Sequence, residues 1–332
     1  MRLVLADFLL CCAAVVAAGI VLGQSSDRLA ERTGLGQIWA GAALLALATS
    51  LPELVTGVAA VRMHATNLAA GDLFGSSLAN MLILGAVALL ATKPREAGAG
   101  ANGSLELTVW MAVTLNLMGA SFVYFHSNRS WFGIHPESTL LLIGYLGGIR
   151  WICRHPDSGP PAQAGMAAGR KLPPDRSSWH ALAQFAAGAA VIFVAAPSLA
   201  GQAARLAAVS GLGDSFVGTF MVGLTTALPE FVTSATAVRL GAFDLAVATL
   251  YGSCACNMAI FFFLDLASGS ASIFDSVAPV QALTGLLAAA LMLGWWLAAR
   301  RRQARRRAIL SPSSALLALA YGFAIWLVHI FT

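Results

Sequence analysis

Long apolar stretches separated by short polar segments make up most of the chain. Ten of them approach or exceed the roughly 20 apolar residues that a helix needs to cross a bilayer. They cover residues 3–23, 36–62, 67–92, 105–126, 133–152, 179–201, 212–240, 243–267, 273–299 and 313–331. The pattern predicts an all-α polytopic membrane protein with ten transmembrane helices.

Two of these stretches are interrupted by similar motifs that each end in Pro-Glu. The motif at 48–53 reads ATSLPE, and the motif at 225–230 reads TTALPE. Proline lacks an N–H group, so it leaves the carbonyl four residues earlier without its helical partner. An ionisable residue inside a membrane is costly and indicates a functional site. Because broken helices at membrane depth occur where they line a cavity, we expect Glu53 and Glu230 to line an ion-binding cavity.

The two motifs belong to an internal repeat with an offset of 177 residues. The offset needs no gap from the first apolar stretch through the third, and it pairs Phe8 with Phe185, Gly41 with Gly218, Thr56 with Thr233 and Asn80 with Asn257. The first stretch therefore has a counterpart in the sixth, which favours a structural helix over a cleaved signal peptide. Five helices per repeat predict that the second repeat is inverted in the membrane. The expected organisation is a first repeat at 1–152, a cytoplasmic linker at 153–178 and a second repeat at 179–332.

Composition and charge support a membrane location. Hydrophobic residues form 58% of the chain and charged residues 11%, whereas soluble domains carry about 25% charged residues. With ten spans, sixteen of the twenty Lys and Arg residues lie on one side. By the positive-inside rule that side is cytoplasmic, so both termini are expected to be extracytoplasmic. The basic run at 300–307 is interpreted as an anchor to anionic lipid, so the expected partners are the bilayer and inorganic cations and not nucleic acid.

Four of the predicted helices each carry oxygen-bearing side chains on one face. At 3.6 residues per turn, positions three or four residues apart lie on the same side of a helix. Carboxylate, amide, hydroxyl and carbonyl oxygens are ligands for hard cations such as Na⁺, Ca²⁺ and Mg²⁺. The four sets are Thr49, Glu53 and Thr56; Asp72, Ser76 and Asn80; Thr226, Glu230 and Thr233; and Thr249, Ser253 and Asn257.

The doubled Leu-Pro-Glu motif, each copy followed by G-S-x-x-x-N at identical spacing, resembles the alpha repeats of sodium/calcium exchangers in the cation/calcium antiporter superfamily. The resemblance covers residues 36–85 and 213–262 by motif. It implies a ten-helix exchanger that swaps Na⁺ for Ca²⁺ by alternating access. It also implies ion-binding roles for the side chains of Glu53, Glu230, Thr49, Ser50, Ser76, Asn80, Thr226 and Ser253 and for the backbone carbonyls of Ala46 and Gly223. Asn257 completes the set of expected ligands.

Three positions depart from the pattern of the family. Ala227 replaces a serine that the family usually has, Asn257 stands where many members have an aspartate, and Asp72 replaces an asparagine. The linker is also too short to hold the regulatory calcium-binding domains of animal members. A prokaryotic protein of the plasma (inner) membrane is therefore expected.

The close alternative to Na⁺/Ca²⁺ exchange is a cation/H⁺ antiporter, with the glutamates carrying protons. A cation channel is disfavoured because no filter-like sequence is visible. An enzyme is disfavoured because no zinc-protease motif or nucleophile–base pair appears, and no cofactor is expected beyond the transported ions. The sequence does not indicate an oligomeric state.

The number of carboxylates predicts how many monovalent ions exchange for each Ca²⁺. Glu53 and Glu230 supply two carboxylates, which one Ca²⁺, two Na⁺ or two H⁺ would neutralise. Asp72 precedes Asn80 by about 12 Å along the helix at 1.5 Å per residue, and it is expected to line an entrance rather than the site. A third Na⁺ would leave an excess buried charge, so fewer than three monovalent ions per Ca²⁺ are expected.

Overall fold

A computed structural model describes residues 2–33, 49–90, 103–125, 135–154, 178–239, 243–269, 272–304 and 312–331. These ranges contain helices joined by turns, and no β-strand occurs within them. The helices are α1 (Arg2–Thr33), α2 (Leu51–Arg62), α3 (Thr66–Leu90), α4 (Gly103–Tyr124), α5 (Pro136–Arg154), α6 (Ser178–Ser210), α7 (Asp214–Thr226), α8 (Leu228–Arg239), α9 (Phe243–Ser268), α10 (Ile273–Ser276), α11 (Val280–Ala304) and α12 (Pro312–Phe331). The predicted all-α class is confirmed.

Membrane-spanning helices are readily identified in the described ranges. Six helices, namely α1, α3, α4, α6, α9 and α11, are long and apolar enough to cross a bilayer. Helices α7 and α8 together could form a seventh span, bent by 40°. The multi-pass membrane class is thus supported, whereas the total of ten spans stays a prediction.

The break between α7 and α8 lies at the second Leu-Pro-Glu motif. Helix α7 contains a π-helical turn at Val217–Val222 and ends at Thr226, and Ala227 separates it from α8. Pro229 is the second residue of α8, where a missing N–H costs no helical hydrogen bond. Pro52 takes the same place in α2. The proline-associated break is therefore confirmed in the second motif, while residues 34–48, which precede the first, lie outside the described ranges.

Helices α3 and α9 form the buried centre of the structure. About three quarters of their spanning segments is buried, 78% in α3 and 72% in α9, against 22% in α1 and 28% in α6. Helices α1 and α6 pack along each other, and their outer faces carry exposed apolar side chains such as Leu10, Phe193 and Val194. The helices with polar stripes thus lie inside, and the repeat-related pair α1 and α6 lies at the periphery.

Glycines bring α7 into backbone contact with α3. A Cβ atom on Gly218 would lie 2.6 Å from the Leu68 carbonyl oxygen, and one on Gly223 would lie 2.7 Å from the Ser76 amide nitrogen. A Cβ atom on Gly75 would overlap the backbone of Thr219. Small residues are what allow membrane helices to approach this closely. The contact places the end of α7 directly beside the polar stripe of α3.

A buried polar cluster fixes the far end of α9. The Asp265 carboxylate lies 2.9 Å from His135 Nδ1, and it accepts hydrogen bonds from the Ser138 hydroxyl at 2.7 Å and from the Ile273 backbone N–H at 3.0 Å. His135 and Asp265 are 3% and 1% exposed. Hydrogen bonds that a carboxylate accepts are stronger than those between neutral groups, so they hold the bonded residues firmly in place. The cluster ties the residues at the start of α5 and the first residue of α10 to the end of α9.

The contact between α3 and α7 yields a prediction about stability. Gly75→Ala should lower the free energy of unfolding by about 1–3 kcal/mol, because the added methyl group overpacks a backbone contact. Gly294→Ala in α11 is the matched control, since the space around Gly294 is open. There the better helix propensity of alanine should leave stability unchanged or slightly raised. The measurement is the midpoint of thermal unfolding of purified protein in detergent, and equal midpoints for the two variants would contradict the predicted packing.

Candidate functional site

The polar residues singled out in the sequence come to lie in the interior, on α2, α3, α7, α8 and α9 or in the turns before α2 and α8. Each polar side chain of the expected ligand set that lies in the described ranges is at most 3% exposed. This holds for Thr49, Ser50, Glu53, Ser76, Asn80, Thr226, Glu230, Ser253 and Asn257. Ala46 lies outside the described residues. The sequence therefore identified a set of polar groups that the fold removes from solvent.

Both motif glutamates lie in the first turn of a helix. Glu53 is in the first turn of α2, and Glu230 is in the first turn of α8. The N-terminus of a helix carries unsatisfied N–H groups and a partial positive charge, which favour a nearby carboxylate. Ser253 on α9 donates a hydrogen bond of 3.2 Å to Glu230 Oε1. Two features therefore position the Glu230 carboxylate: the helix break that precedes it and the hydrogen bond from Ser253 on α9.

Ser76 on α3 links that helix to the end of α7. Its hydroxyl donates to the Gly223 carbonyl oxygen at 3.1 Å and lies 2.9 Å from the Thr226 hydroxyl. The predicted roles of Ser76, Thr226 and the Gly223 carbonyl thus converge in one cluster of oxygen atoms. The backbone contact at Gly75 and Gly223 explains how they meet, because it brings α7 within hydrogen-bonding distance of α3.

The two repeat-related asparagines point their amide nitrogens at the protein scaffold. Asn257 Nδ2 donates to the Leu73 carbonyl oxygen at 3.4 Å, and Asn80 Nδ2 lies 3.7 Å from the Cys254 sulfur. Neither amide oxygen has a hydrogen-bond partner among the described residues. The nitrogen contacts therefore hold the oxygens in orientations where they can serve as ligands.

Several carboxylate oxygens in the site lack a hydrogen-bond donor. Within the described part of the chain this holds for both oxygens of Glu53, for Oε2 of Glu230 and for Oδ2 of Asp72. Glu53 also lies close enough to Glu230 and Asp72 for their charges to interact. Buried like charges are unfavourable unless a cation or a proton neutralises them. The donor set therefore fits small hard cations.

Carboxylates alone would not complete a coordination shell around a cation in the described part of the chain. Across the residues that the structure describes, no three His, Cys, Asp or Glu side chains converge into a single metal-binding cluster. Hydroxyl, amide and carbonyl oxygens would have to complete the shell around any cation. Such a mixed set of hard donors matches the ligands expected from the sequence.

The expectation for Asp72 is wrong. Its side chain is fully buried, and its Oδ1 accepts a hydrogen bond of 2.8 Å from the Thr226 hydroxyl. Asp72 is about 12 Å from Asn80 along α3, but α7 crosses α3 beside Ser76, one turn after Asp72. The carboxylate therefore lies in the same buried cluster as Thr226 and does not line an entrance, so the cluster holds a third carboxylate beside Glu53 and Glu230.

Two threonines of the polar stripes bond to their own helices. The Thr249 hydroxyl donates to the Leu245 carbonyl at 2.9 Å, and the Thr233 hydroxyl donates to the Glu230 carbonyl at 3.0 Å. Such bonds are common for threonine in helices. Conversely, sequence reasoning missed the Leu73 carbonyl and the Cys254 thiol, since a backbone carbonyl and a small apolar residue give no pattern of their own.

Comparisons with known proteins agree with this architecture. A sequence profile described as sodium/calcium exchanger protein matches residues 3–151 and 180–329. A protein of Alkalimonas amylolytica that carries the name antiporter CaxA is 26% identical over 235 residues, 70% of either chain. The sodium/calcium exchanger MaX1 of Methanosarcina acetivorans is 35% identical over 74 residues, 22% of this chain and 21% of MaX1.

Solved structures share the fold at low sequence identity. The sodium-calcium exchanger NCX_Mj superposes with a TM-score of 0.62 at 21% identity, covering 98% of both chains. The H⁺/Ca²⁺ exchanger CAX superposes with a TM-score of 0.67 at 14% identity, covering 98% of this chain and 86% of CAX. Since the profile matches both halves of the sequence, the chain belongs to the sodium/calcium exchanger protein family of membrane cation antiporters.

Proposed function

We propose that the chain is a secondary antiporter that exchanges Ca²⁺ for Na⁺ by alternating access to the buried site between Glu53 and Glu230. The observation that carries the proposal is the pair of fully buried glutamates, in the first turns of two repeat-related helices, with carboxylate oxygens that lack hydrogen-bond donors. Neither glutamate forms an ion pair with a basic residue in the described part of the chain. Transported cations would then supply the missing positive charge.

Competition for the same carboxylates would couple the two ions. Ca²⁺ and Na⁺ both require the glutamate oxygens, so they cannot be bound there together. Without cations the clustered negative charges of Glu53, Glu230 and Asp72 would face a low-dielectric interior, which is unfavourable. The site would therefore rarely switch from one side of the membrane to the other without bound cations. Transport of Ca²⁺ in one direction would then require transport of Na⁺ in the other.

The proposal includes the arrangement expected from the sequence. Ten helices would form two inverted repeats at 1–152 and 179–332, joined by a cytoplasmic linker at 153–178. Both termini would be extracytoplasmic in a prokaryotic plasma membrane. The bilayer and the inorganic cations would be the partners, and no cofactor would be needed.

Helices α1 and α6 are the proposed moving element. They pack along each other at the periphery, and none of the proposed ion ligands lies on them. Helix α1 crosses both prolines of the two motifs at Gly19, whose nearest neighbours are Pro229 and Pro52. Sliding of this pair past the two broken helices would open the site alternately to either side, as repeat-related bundles do in secondary transporters.

Ca²⁺/H⁺ exchange is the second candidate. It is favoured by the absence of basic partners for the buried carboxylates in the described ranges, because each carboxylate could then accept a proton as its counter-ion. The two candidates share the site and differ in the driving ion.

Replacement of either glutamate tests the site. Glu53→Gln and Glu230→Gln should each abolish Ca²⁺ exchange in proteoliposomes, because an amide of the same shape cannot supply the negative charge. Glu106→Gln is the control, since Glu106 forms an exposed ion pair with Arg300 at 2.9 Å and such pairs contribute only about 0–1 kcal/mol. Size-exclusion profiles should show folded protein for all three variants. A glutamine variant at either position with near-normal flux would remove that glutamate from the proposed site.

The driving ion is tested by ⁴⁵Ca²⁺ flux under imposed gradients. An outward Na⁺ gradient should drive Ca²⁺ uptake into proteoliposomes at constant pH, whereas K⁺ gradients should not. Uptake that follows only a pH gradient would replace Na⁺ by H⁺ as the counter-ion. Flux that continues without any counter-ion would contradict antiport.

Cysteine accessibility tests the moving element. In a protein without its native cysteines, Ala18→Cys on α1 and its repeat mate Ala195→Cys on α6 should change their labelling between conditions that favour the inward-facing and outward-facing states. Ala112→Cys on α4 is the control and should label equally in both, because α4 lies outside the moving pair. Unchanged labelling at Ala18 and Ala195 would rule out sliding of α1 and α6.

A further inference from the structure

A buried thiol contacts the amide nitrogen of Asn80. Asn80 Nδ2 donates to Cys254 Sγ at 3.7 Å, and the Cys254 thiol in turn donates to the Ser77 carbonyl oxygen at 3.7 Å. Neither Asn80 nor Cys254 has exposed surface. Asn80 Oδ1 has no hydrogen-bond partner among the described residues. The nitrogen end of the amide is therefore held by protein, and the oxygen end is available to a cation.

The direction of the thiol proton decides which end of the amide faces the sulfur. A carbonyl oxygen only accepts hydrogen bonds, so the thiol proton points to Ser77. The sulfur then presents its lone pairs to Asn80, where an N–H group can donate and an oxygen atom cannot. A reversed amide would place two acceptors against each other and leave buried N–H groups without a partner, which is unfavourable. The thiol thus favours the orientation that leaves Oδ1 free.

Helix α4 holds Cys254 from a third direction. Asn116 on α4 is fully buried, and its Nδ2 donates to the Cys254 carbonyl oxygen at 3.2 Å and to the Ala112 carbonyl oxygen at 2.9 Å. None of the expected cation ligands lies on α4. Its asparagine nevertheless fixes the backbone of α9 at the residue that carries the thiol, so α3, α4 and α9 are joined at Cys254.

The two repeats hold their asparagines differently. At the repeat offset of 177 residues, Cys254 pairs with Ser77. The Ser77 hydroxyl is buried and has no hydrogen-bond partner in the described part of the chain, and Asn257 Nδ2 donates to the Leu73 carbonyl instead. One amide is therefore oriented by a backbone carbonyl, which a side-chain substitution does not remove, and the other by a side chain.

We propose that Cys254 is a positioning residue of the cation site, whose thiol orients the Asn80 amide so that Oδ1 can bind Ca²⁺. This inference rests on the proposed function, and it assigns a role to a residue outside the ligand set expected from the sequence. The thiol acts through Asn80 and is not itself a ligand, because its contacts are with an amide nitrogen and a carbonyl oxygen. Groups that hold a metal ligand by hydrogen bonds fix its orientation and support the affinity for the metal.

The test is equilibrium binding of ⁴⁵Ca²⁺ to purified full-length protein in detergent. Cys254→Ala should raise the Kd for Ca²⁺ about three- to tenfold, the range expected when one hydrogen bond to a ligand is lost. Cys254→Ser keeps a group that both accepts and donates, so its Kd should stay close to the wild-type value. Cys11→Ala is the control, since it removes a half-buried thiol from the peripheral helix α1 and should leave the Kd unchanged.

A second substitution separates orientation of the amide from packing. In Asn80→Asp both side-chain atoms at the end are oxygens, so one faces the site whichever way the group is turned. Cys254→Ala should then change the Kd much less in the Asn80→Asp background than in the wild type. A defect in packing alone would act equally in both backgrounds, because the effects of independent changes add.

A wild-type Kd in Cys254→Ala, or an equal effect of this substitution in both backgrounds, would overturn the role of Cys254 while leaving the proposed function intact. If the wild type itself binds no Ca²⁺, the proposed function fails and the role of Cys254 fails with it. If Cys254→Ala does not fold, the infrared S–H stretching band of Cys254, assigned by its loss in Cys254→Ser, replaces the binding measurement. A band at the lowered frequency of a hydrogen-bonded thiol supports the proposal, and the frequency of a free thiol overturns it.

Discussion

Carboxylates buried without basic partners are the feature on which the rest of this structure depends. Glu53, Glu230 and Asp72 are removed from water, and several of their oxygens have no donor in the described part of the chain. A charge in such a place needs compensation by dipoles, hydrogen bonds or ions. Helix N-termini at the two glutamates and hydroxyl donors at Asp72 and Glu230 provide part of it. In the proposed function, transported cations would supply the rest.

Close packing of helix backbones is the second requirement of the site. Short side chains such as serine and threonine reach only a few ångströms, so they can meet across two helices only when the helices touch. The glycines at 75, 218 and 223 permit this contact between α3 and α7. The peripheral helices α1 and α6 pack on this centre without supplying ligands. A buried centre that carries the polar side chains and a periphery with an apolar outer face are thus separate parts of one bundle.

In the proposed function, antiport would follow from ligands that both ions share. The cluster of acids would accept one divalent or several monovalent cations, and binding of one species would exclude the other. Asp72 accepts a hydrogen bond from Thr226, so this third carboxylate lies in the same buried cluster and adds to the negative charge that bound cations would neutralise.

The sequence by itself determined the membrane class, the duplicated motif and the buried polar residues, and it did so for simple reasons. Apolar length, proline chemistry and helical spacing are local properties, so they could identify Glu53, Glu230 and the stripe on α3 without any knowledge of how helices cross. The functional family followed from the same motifs, since their residues and spacing are retained in both copies.

Only the tertiary structure decided which polar groups meet. Asp72 was placed outside the site because distance along α3 says nothing about the point where α7 crosses it. Thr249 was placed in the oxygen-bearing stripe of α9 because helical spacing cannot show that its hydroxyl bonds back to its own helix. The amide orientations of Asn80 and Asn257 depend on a thiol and a carbonyl from other helices. Contacts between helices depend on backbone approach in three dimensions, and that information is absent from the spacing of residues within any one of them.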